Sequence, residues 1–387
     1  MGLDVFYPAW ALDFFGLYGK PRYNWNTILT YTVLVSVLML HTLLLLRVQF
    51  LEYTVVMTVF SICLSLIGTN FVFRFCFFVY KHTPHNECKQ FDALYSDMRA
   101  QSSRTIRRFC RTYFTYTAFC SLLLVATQFI SSFFYSERYR FDADNKYFYV
   151  DQWRPLLYEI WLPWGDPHEW PYYPYVLLWQ EFVYLMQSCV NAVTDAFICS
   201  LMLAAAERGA FLARVAPRAL LPGRDGEVTR MCRAWIRYHQ HYLGILTMIN
   251  KELGPLLLEI QLFGITKVMF NVFLGIVSGE IIAILAIADA GPLLINLLTF
   301  SIAGQKIINA SNQLARVTVN AAEIARGGLQ LVSLRNLLQV VRARCAATAD
   351  GCITGLGYFK VSIAFFARVL SAGFTYVLVL NQLKSKK

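Results

Sequence analysis

The stretch that decides the fold is YVLLWQEFVYLMQSCVNAVTDAFICSLMLAAA, which runs from Tyr175 to Ala206 and contains only two charged residues, Glu181 and Asp195. A helix needs about 20 predominantly apolar residues to cross the hydrocarbon core of a bilayer, and this stretch is longer. The 387-residue chain as a whole is 57% hydrophobic and only 15% charged, with a mean hydropathy of +0.46. A soluble domain carries about 25% charged residues, so the sequence predicts an integral membrane protein.

Apolar segments of spanning length recur along the chain and predict an all-α polytopic membrane protein with seven transmembrane helices. They cover residues 27–46, 53–73, 113–135, 175–206, 256–288, 291–308 and 358–383. The fifth and sixth are separated at Asp289 because Pro292 suits the first turn of a helix.

Lysine and arginine in the connecting segments predict the orientation, because cytoplasmic loops carry an excess of basic residues. Segments 74–111 and 208–251 carry eight basic residues each, whereas 137–169 carries seven acidic residues and four basic ones. We therefore expect a cytoplasmic amino-terminal segment (1–26), an outer loop (136–174) and an extracellular tail (384–387). The ten cysteines agree, because none lies in the acidic outer loop and reduced thiols are typical of the cytosol.

The basic segments 207–255 and 309–357 are expected to be cytoplasmic and helical. Apolar residues recur at helical spacing in both, which indicates amphipathic helices. Helices four, five and six are predicted to continue beyond the membrane as a packed helical base. Amphipathic helices that lie on the lipid surface are the alternative.

Charged residues inside membrane segments are costly and often functional. Glu181 and Asp195 in helix four and Lys267 in helix five are the candidates. For Asp195 we favour a structural role over ligand contact.

The outer halves of helices two, three, four and six carry an apolar and aromatic lining. Such a lining predicts a pocket that binds a small, mostly apolar ligand by burial, with few hydrogen bonds; ordinary helix packing is the alternative for each residue. The candidates are Tyr53, Met57, Phe60, Ser61, Thr127, Ile130, Phe133, Phe134, Phe182, Met186, Val190, Leu297 and Phe300.

Three stretches carry a resemblance to a known family. They are RYHQHYLGILTMINKEL from Arg237, GQKIINASNQLARV from Gly304 and GYFKVSIAFFARVLSAGFTYVLVL from Gly357. Together they resemble the insect odorant receptors, in particular their odorant-specific tuning subunits. The ending with Thr375, Tyr376, Gln382 and Leu383 is also close to a pattern of insect gustatory receptors, so a gustatory receptor channel subunit remains the alternative.

The resemblance implies a subunit of a tetrameric, odorant-gated, nonselective cation channel in the cell membrane of a sensory neuron. Its partners would be a small volatile odorant, odorant co-receptor subunits and membrane lipid. Each subunit of such a channel contributes its last helix to the pore. Carried over to this chain, the pore line would be Val379, Gln382 and Leu383, with Val379 as an apolar gate and Gln382 facing ions at the outer mouth.

Other classes of protein are disfavoured. A heptahelical G-protein-coupled receptor has the opposite orientation, an outer-loop disulfide and usually an Asp/Glu-Arg-Tyr motif after helix three. The net charge of +11 is assigned to membrane-flanking loops and not to nucleic-acid binding. Enzyme motifs such as a Walker loop, H-E-x-x-H or G-x-S-x-G do not occur in the sequence. We predict no enzymatic activity, no cofactor and no metal site.

Overall fold

The computed structural model describes residues 25–50, 68–74 and 76, most positions from 108 to 126, a few positions between 156 and 167, and residues 171–220, 225–277, 280–326 and 351–385. These residues are mostly helical. Much of the predicted outer loop, residues 327–350 and residues 1–24 lie outside the described residues. So do eight predicted pocket residues, namely Tyr53, Met57, Phe60, Ser61, Thr127, Ile130, Phe133 and Phe134.

Four long helices dominate the structure. They are α1 (Trp25–Phe50), α2 (Tyr172–Leu220), α3 (Asp225–Val277) and α4 (Glu280–Arg326). Helix α2 has 49 residues, which at 1.5 Å per residue gives about 74 Å, far more than the roughly 30 Å of a bilayer core. Helices α3 and α4, with 53 and 47 residues, are of similar length. The predicted continuation of helices four, five and six into the cytosol stays a prediction.

Helix α2 forms a bundle with α3 and α4 and lies at its centre. It contacts α1, α3 and α4. Every residue from Ala192 to Met202 is buried, so this part of the helix is covered on all sides. A helix that is apolar all round is buried all round, which explains why the stretch has no polar face.

Within the part of the chain that the structure describes, three helices are long and apolar enough to cross a membrane: Tyr172–Ala219, Arg230–Phe273 and Ala290–Thr318. Ile28–Leu40 and Ile363–Tyr376 are shorter apolar helices. The segments around 68–76 and 108–126 are helical wherever they are described. The count of seven and the orientation of the termini stay predictions.

The predicted boundary between helices five and six is wrong. Helix α3 ends at Val277 and α4 begins at Glu280, so that Pro292 lies inside α4. The two residues between these helices in the sequence, Ser278 and Gly279, lie outside the described residues. Proline suits a first helical turn but does not require one, so Pro292 alone does not mark the start of the sixth helix.

A short β-hairpin precedes the last helix. Strands β1 (Thr354–Gly355) and β2 (Phe359–Lys360) pair antiparallel, and the Tyr358 amide donates to the Gly355 carbonyl oxygen at 3.0 Å. Leu356 has φ 50° and Gly357 has φ 81°. Positive φ at both central residues defines a type I′ turn, which matches the twist of paired strands.

Helix α5 (Ile363–Ser385) follows the hairpin and contacts α3 and α4. It begins five residues later than the predicted start at Tyr358, because the hairpin occupies the residues between. Ser362 caps it, since its side-chain oxygen accepts from the Phe365 amide at 3.2 Å, as serine does at helix starts.

Candidate functional site

A cluster of buried charged and polar side chains lies where the helices meet. Arg74 Nη1 contacts Asp195 Oδ1 at 2.7 Å, and its Nε contacts Glu259 Oε2 at 3.3 Å. Nη1 also donates to Thr194 Oγ1 at 2.9 Å and to the Asn191 carbonyl oxygen at 3.1 Å. All three charged side chains are at most 6% exposed. Buried charges are tolerated when they are paired and hydrogen-bonded in this way.

The second Asp195 oxygen completes the network. Asn296 Nδ2 donates to Asp195 Oδ2 at 2.7 Å, and the Tyr113 hydroxyl donates to Asn296 Oδ1 at 2.7 Å. The network therefore joins segments 68–76 and 108–126 to α2, α3 and α4. Since both oxygens of Asp195 are occupied by protein groups, the geometry favours the structural role predicted for it.

A small cavity of about 90 Å³ adjoins the cluster. This volume is well below the roughly 300–1,000 Å³ that is typical of ligand pockets. It brings together two of the three predicted charges, Asp195 and Lys267, with the predicted pocket residue Leu297. The lining residues are Asn70, Arg74, Asn191, Asp195, Ile260, Phe263, Gly264, Lys267, Leu293, Asn296 and Leu297.

The other described pocket candidates differ in burial. Val190 and Phe300 are buried, at 1% and 0% exposed, and Met186 is half-buried. Phe182, by contrast, is 46% exposed. A helix turns about 100° per residue, which places Phe182 and Met186 away from the buried face of α2 that carries Tyr184. The joint contribution of these residues to one pocket stays a prediction.

That buried face of α2 is more polar than the sequence analysis recognised. Gln180, Tyr184, Gln187 and Asn191 follow one another at spacings of four, three and four, which is one stripe of a helix. Gln180 and Gln187 are fully buried, and Glu181 beside the stripe is only 6% exposed. The spacing of these polar residues is the sequence signal that predicts the stripe. The prediction from apolar composition selected Phe182 and Met186 and missed it.

A second cavity of about 310 Å³ lies further along α2, between α2 and α4. It contains the oppositely charged Glu207 and Lys306 and none of the predicted pocket residues. Small residues leave the space open, since Ala206, Ala210 and Ala310 line it. Among the described residues, no three histidine, cysteine or acidic side chains come together as a metal site.

The predicted pore residues lie on the last helix. Val379 is 49% exposed, Gln382 is exposed, and Leu383 follows in the same helix. Spacings of three and four put these residues on one face of α5. Phe374 and Tyr376 are also exposed, at 68% and 44%, so α5 leaves much apolar surface that its own chain does not cover.

The hairpin joins α5 to the bundle through close contacts. The Asn250 side chain on α3 donates to the Cys352 carbonyl oxygen at 3.0 Å and accepts from the Thr354 amide at 2.8 Å. On α4, a Cβ added at Gly304 would overlap the Val361 carbonyl oxygen. Glycine is therefore required at Gly304 for the backbones to approach this closely.

Comparisons with known proteins give the family. Residues 52–372 match the sequence profile of the family described as 7tm odorant receptor. The chain belongs to this odorant receptor family. It is a family of sensory membrane receptors and not of enzymes. Over 124 residues the chain is 28% identical to odorant receptor 85c of Drosophila melanogaster, an alignment that covers 31% of this chain and only 32% of that relative.

The fold of the odorant receptor also matches solved structures. The insect olfactory receptor OR5 from Machilis hrabei aligns with a TM-score of 0.68 at 12% identity, over 94% of this chain and 91% of that one. The structure of the same receptor in complex with eugenol aligns with a TM-score of 0.69, at the same identity and coverage. At this identity the match shows a shared fold.

Proposed function

We propose that the chain is an odorant-binding subunit of a ligand-gated, nonselective cation channel that opens a pore formed together with the odorant co-receptor. The apolar surface that α5 leaves exposed carries this proposal. In a membrane receptor whose other long helices pack into one bundle, an apolar helix with Phe374, Tyr376 and Val379 exposed has uncovered surface on more than one side, which suits contact with other subunits and a central path. The membrane of a sensory neuron is the proposed location.

The pore is proposed to run past Val379, Gln382 and Leu383. Val379 is the β-branched apolar residue of that face, and a narrow ring of such residues excludes water and ions when closed. Gln382 lies about one turn further along α5 and offers a polar amide to hydrated ions.

The odorant is proposed to bind in the outer half of the bundle. There α2 supplies Phe182, Met186 and Val190, α4 supplies Leu297 and Phe300, and the other eight candidates come from the second and third predicted spans. The complex of Machilis hrabei OR5 with eugenol supports a small volatile as the class of ligand. Burial of apolar surface, worth about 25 cal/mol per Å², is the main expected driving force.

The proposal is tested by recording from oocytes that express this chain with and without the co-receptor, against a panel of volatile odorants. We expect an odorant-evoked cation current only when both chains are present. Robust current from this chain alone would contradict the co-receptor requirement. Absence of current with both chains at the surface, across a broad panel, would contradict the channel function.

A further inference from the structure

The cavity of about 310 Å³ between α2 and α4 has a lining that the odorant proposal does not use. Its volume lies at the lower end of the range that is typical of ligand pockets. Phe109, Leu203 and three alanines form its apolar wall, whereas Glu207 and Lys306 are charged and exposed at its mouth. A neutral, apolar odorant gains nothing from two opposite charges, so this cavity is suited to a different class of ligand.

The cavity lies where the apolar parts of both helices end. On α2, Glu207 is the first charged residue after Asp195 and directly follows the apolar stretch that ends at Ala206. On α4, Lys306 is the first charged residue after Asp289. Charged side chains at the ends of membrane-spanning helices lie at the level of the lipid headgroups. The basic segments that follow both helices predict that this is the cytoplasmic leaflet.

Helices α2 and α4 run parallel and in register along this stretch. Asn296 on α4 donates to Asp195 on α2, and a Cβ added at Gly209 would meet the Ala310 side chain at 3.1 Å. Positions 195 to 209 and 296 to 310 each span 14 residues, so position 308 lies opposite Glu207. Lys306 is two residues from that position, which is about 3 Å along the axis. The two charges therefore face the same cavity from neighbouring helices.

The α4 wall of the cavity carries three groups that donate hydrogen bonds. Lys306, Asn309 and Gln313 line the cavity at spacings of three and four, which places them on one face of the helix. Gln305 Nε2 donates to Asn309 Oδ1 at 3.0 Å, so the amide nitrogen of Asn309 remains a donor. Lys306 forms no ion pair with any residue that the structure describes. An ammonium group beside two amides suits the oxygens of a phosphate.

We propose that this cavity binds the headgroup of a phospholipid that carries both a phosphate and a primary ammonium, as phosphatidylethanolamine does. The α4 donors hold the phosphate oxygens, and the Glu207 carboxylate accepts a hydrogen bond from the ammonium. Phe109 and Leu203 contact the glycerol and the start of the acyl chains. The bound lipid joins α2 to α4 at the membrane boundary. This inference is independent of the odorant pocket and of the pore.

Lipids with matched acyl chains test the choice of headgroup. Purified full-length receptor in detergent is heated with phosphatidylethanolamine, phosphatidylcholine, phosphatidylglycerol or diacylglycerol, and the rise in unfolding temperature reports binding. We expect phosphatidylethanolamine to act at roughly ten-fold lower concentration than the choline or glycerol lipid, because neither of these offers an N–H to Glu207. Diacylglycerol, which lacks the phosphate as well, should be the weakest. Equal potency of all four lipids would overturn the inference.

Variants locate the effect at the cavity. Lys306→Gln should weaken the action of phosphatidylethanolamine and phosphatidylglycerol alike by roughly ten-fold, because it removes the cation beside the phosphate. Glu207→Gln should reduce only the preference between these two lipids, to about three-fold or less. The matched control is Arg316→Gln, which removes an exposed cation about 15 Å further along α4 and outside the cavity. Equal weakening by Arg316→Gln and Lys306→Gln would show attraction by overall charge and would overturn the inference.

A soluble headgroup distinguishes a membrane lipid from a cytosolic ligand. Glycerophosphoethanolamine carries the same phosphate and ammonium but has no acyl chains. We expect it to need at least roughly a hundred-fold higher concentration than phosphatidylethanolamine for the same rise in unfolding temperature, because it buries no hydrocarbon. Equal potency of the soluble compound would assign the cavity to a soluble zwitterion and would overturn the lipid proposal.

Discussion

Helices α2 and α5 are both apolar, yet the rest of the chain buries much of α2 and leaves much of α5 exposed. Every α2 residue from Ala192 to Met202 is buried by the chain itself, and the helix is held by a network of buried charges. Helix α5 meets the bundle through the hairpin and a limited contact with α3 and α4, and Val379 is half exposed. The difference separates a region that one subunit folds alone from a region that needs lipid or neighbouring subunits.

The largest expected effect on stability comes from removing the cation of the buried network around α2. Arg74→Met leaves Asp195 and Glu259 buried without their cation, and removing one partner of a buried pair costs about 3–5 kcal/mol. We expect a large fall in unfolding temperature and little receptor at the cell surface, measured by thermal unfolding in detergent and by surface labelling.

Arg214→Met is the matched control for that variant. Arg214 is exposed and bonds only weakly to its own helix, at 3.4 Å to the Ala210 carbonyl oxygen. Its replacement should change stability by less than about 0.5 kcal/mol. If both variants proved equally stable, the Arg74 network would not hold the bundle together.

The next effect is expected where the two regions meet. Gly304→Ala places a methyl group against the Val361 carbonyl oxygen, so the hairpin must shift away from α4. Overpacking of this kind costs about 1–3 kcal/mol. Because the hairpin leads directly into α5, we expect a smaller odorant-evoked current per surface receptor in addition to the loss of stability.

Gly244→Ala serves as the control for this substitution. An added Cβ at Gly244 on α3 meets nothing within 4 Å, and alanine in a helix is favoured over glycine by about 0.5–1 kcal/mol. This variant should be slightly more stable with unchanged current. Normal current from Gly304→Ala would argue against the hairpin as the link between bundle and gate.

The sequence predicts the long apolar helices because helix length and apolar character depend on local composition and periodicity. It does not predict their partners. Arg74 and Asp195 are 121 positions apart, and no local pattern pairs them. The hydropathy of α2 and α5 likewise does not show that one is covered and the other exposed, since that difference arises only when the helices pack.

The candidate site also has features that the sequence predicts and features that it does not. Glu181, Asp195 and Lys267 could be singled out because charge inside an apolar stretch is visible in the sequence. Their different roles could not be predicted, because each role depends on which groups approach the charged end of the side chain. The hydrogen bonds between Asn250 and the hairpin join residues 102 and 104 positions apart. No local sequence pattern predicts them either.

The smallest expected effect on stability tests the α5 side. Val379→Ser changes a residue that is 49% exposed in the single chain, so its unfolding temperature and surface level should stay close to those of the parent. In the assembled channel the same residue is proposed to narrow the pore, and a polar side chain there lets water and ions pass more easily when the gate is closed. We therefore expect a raised basal current, recorded with the co-receptor and normalised to surface level. Phe374→Ser is the matched control, since Phe374 is also exposed, at 68%, but lies about 140° around the helix; it should leave the surface level and the basal leak unchanged. A Val379→Ser channel with normal surface level, basal leak, ion selectivity and odorant response would exclude Val379 from the conduction path, and the exposed face of α5 would then be a packing surface for lipid or a neighbouring subunit.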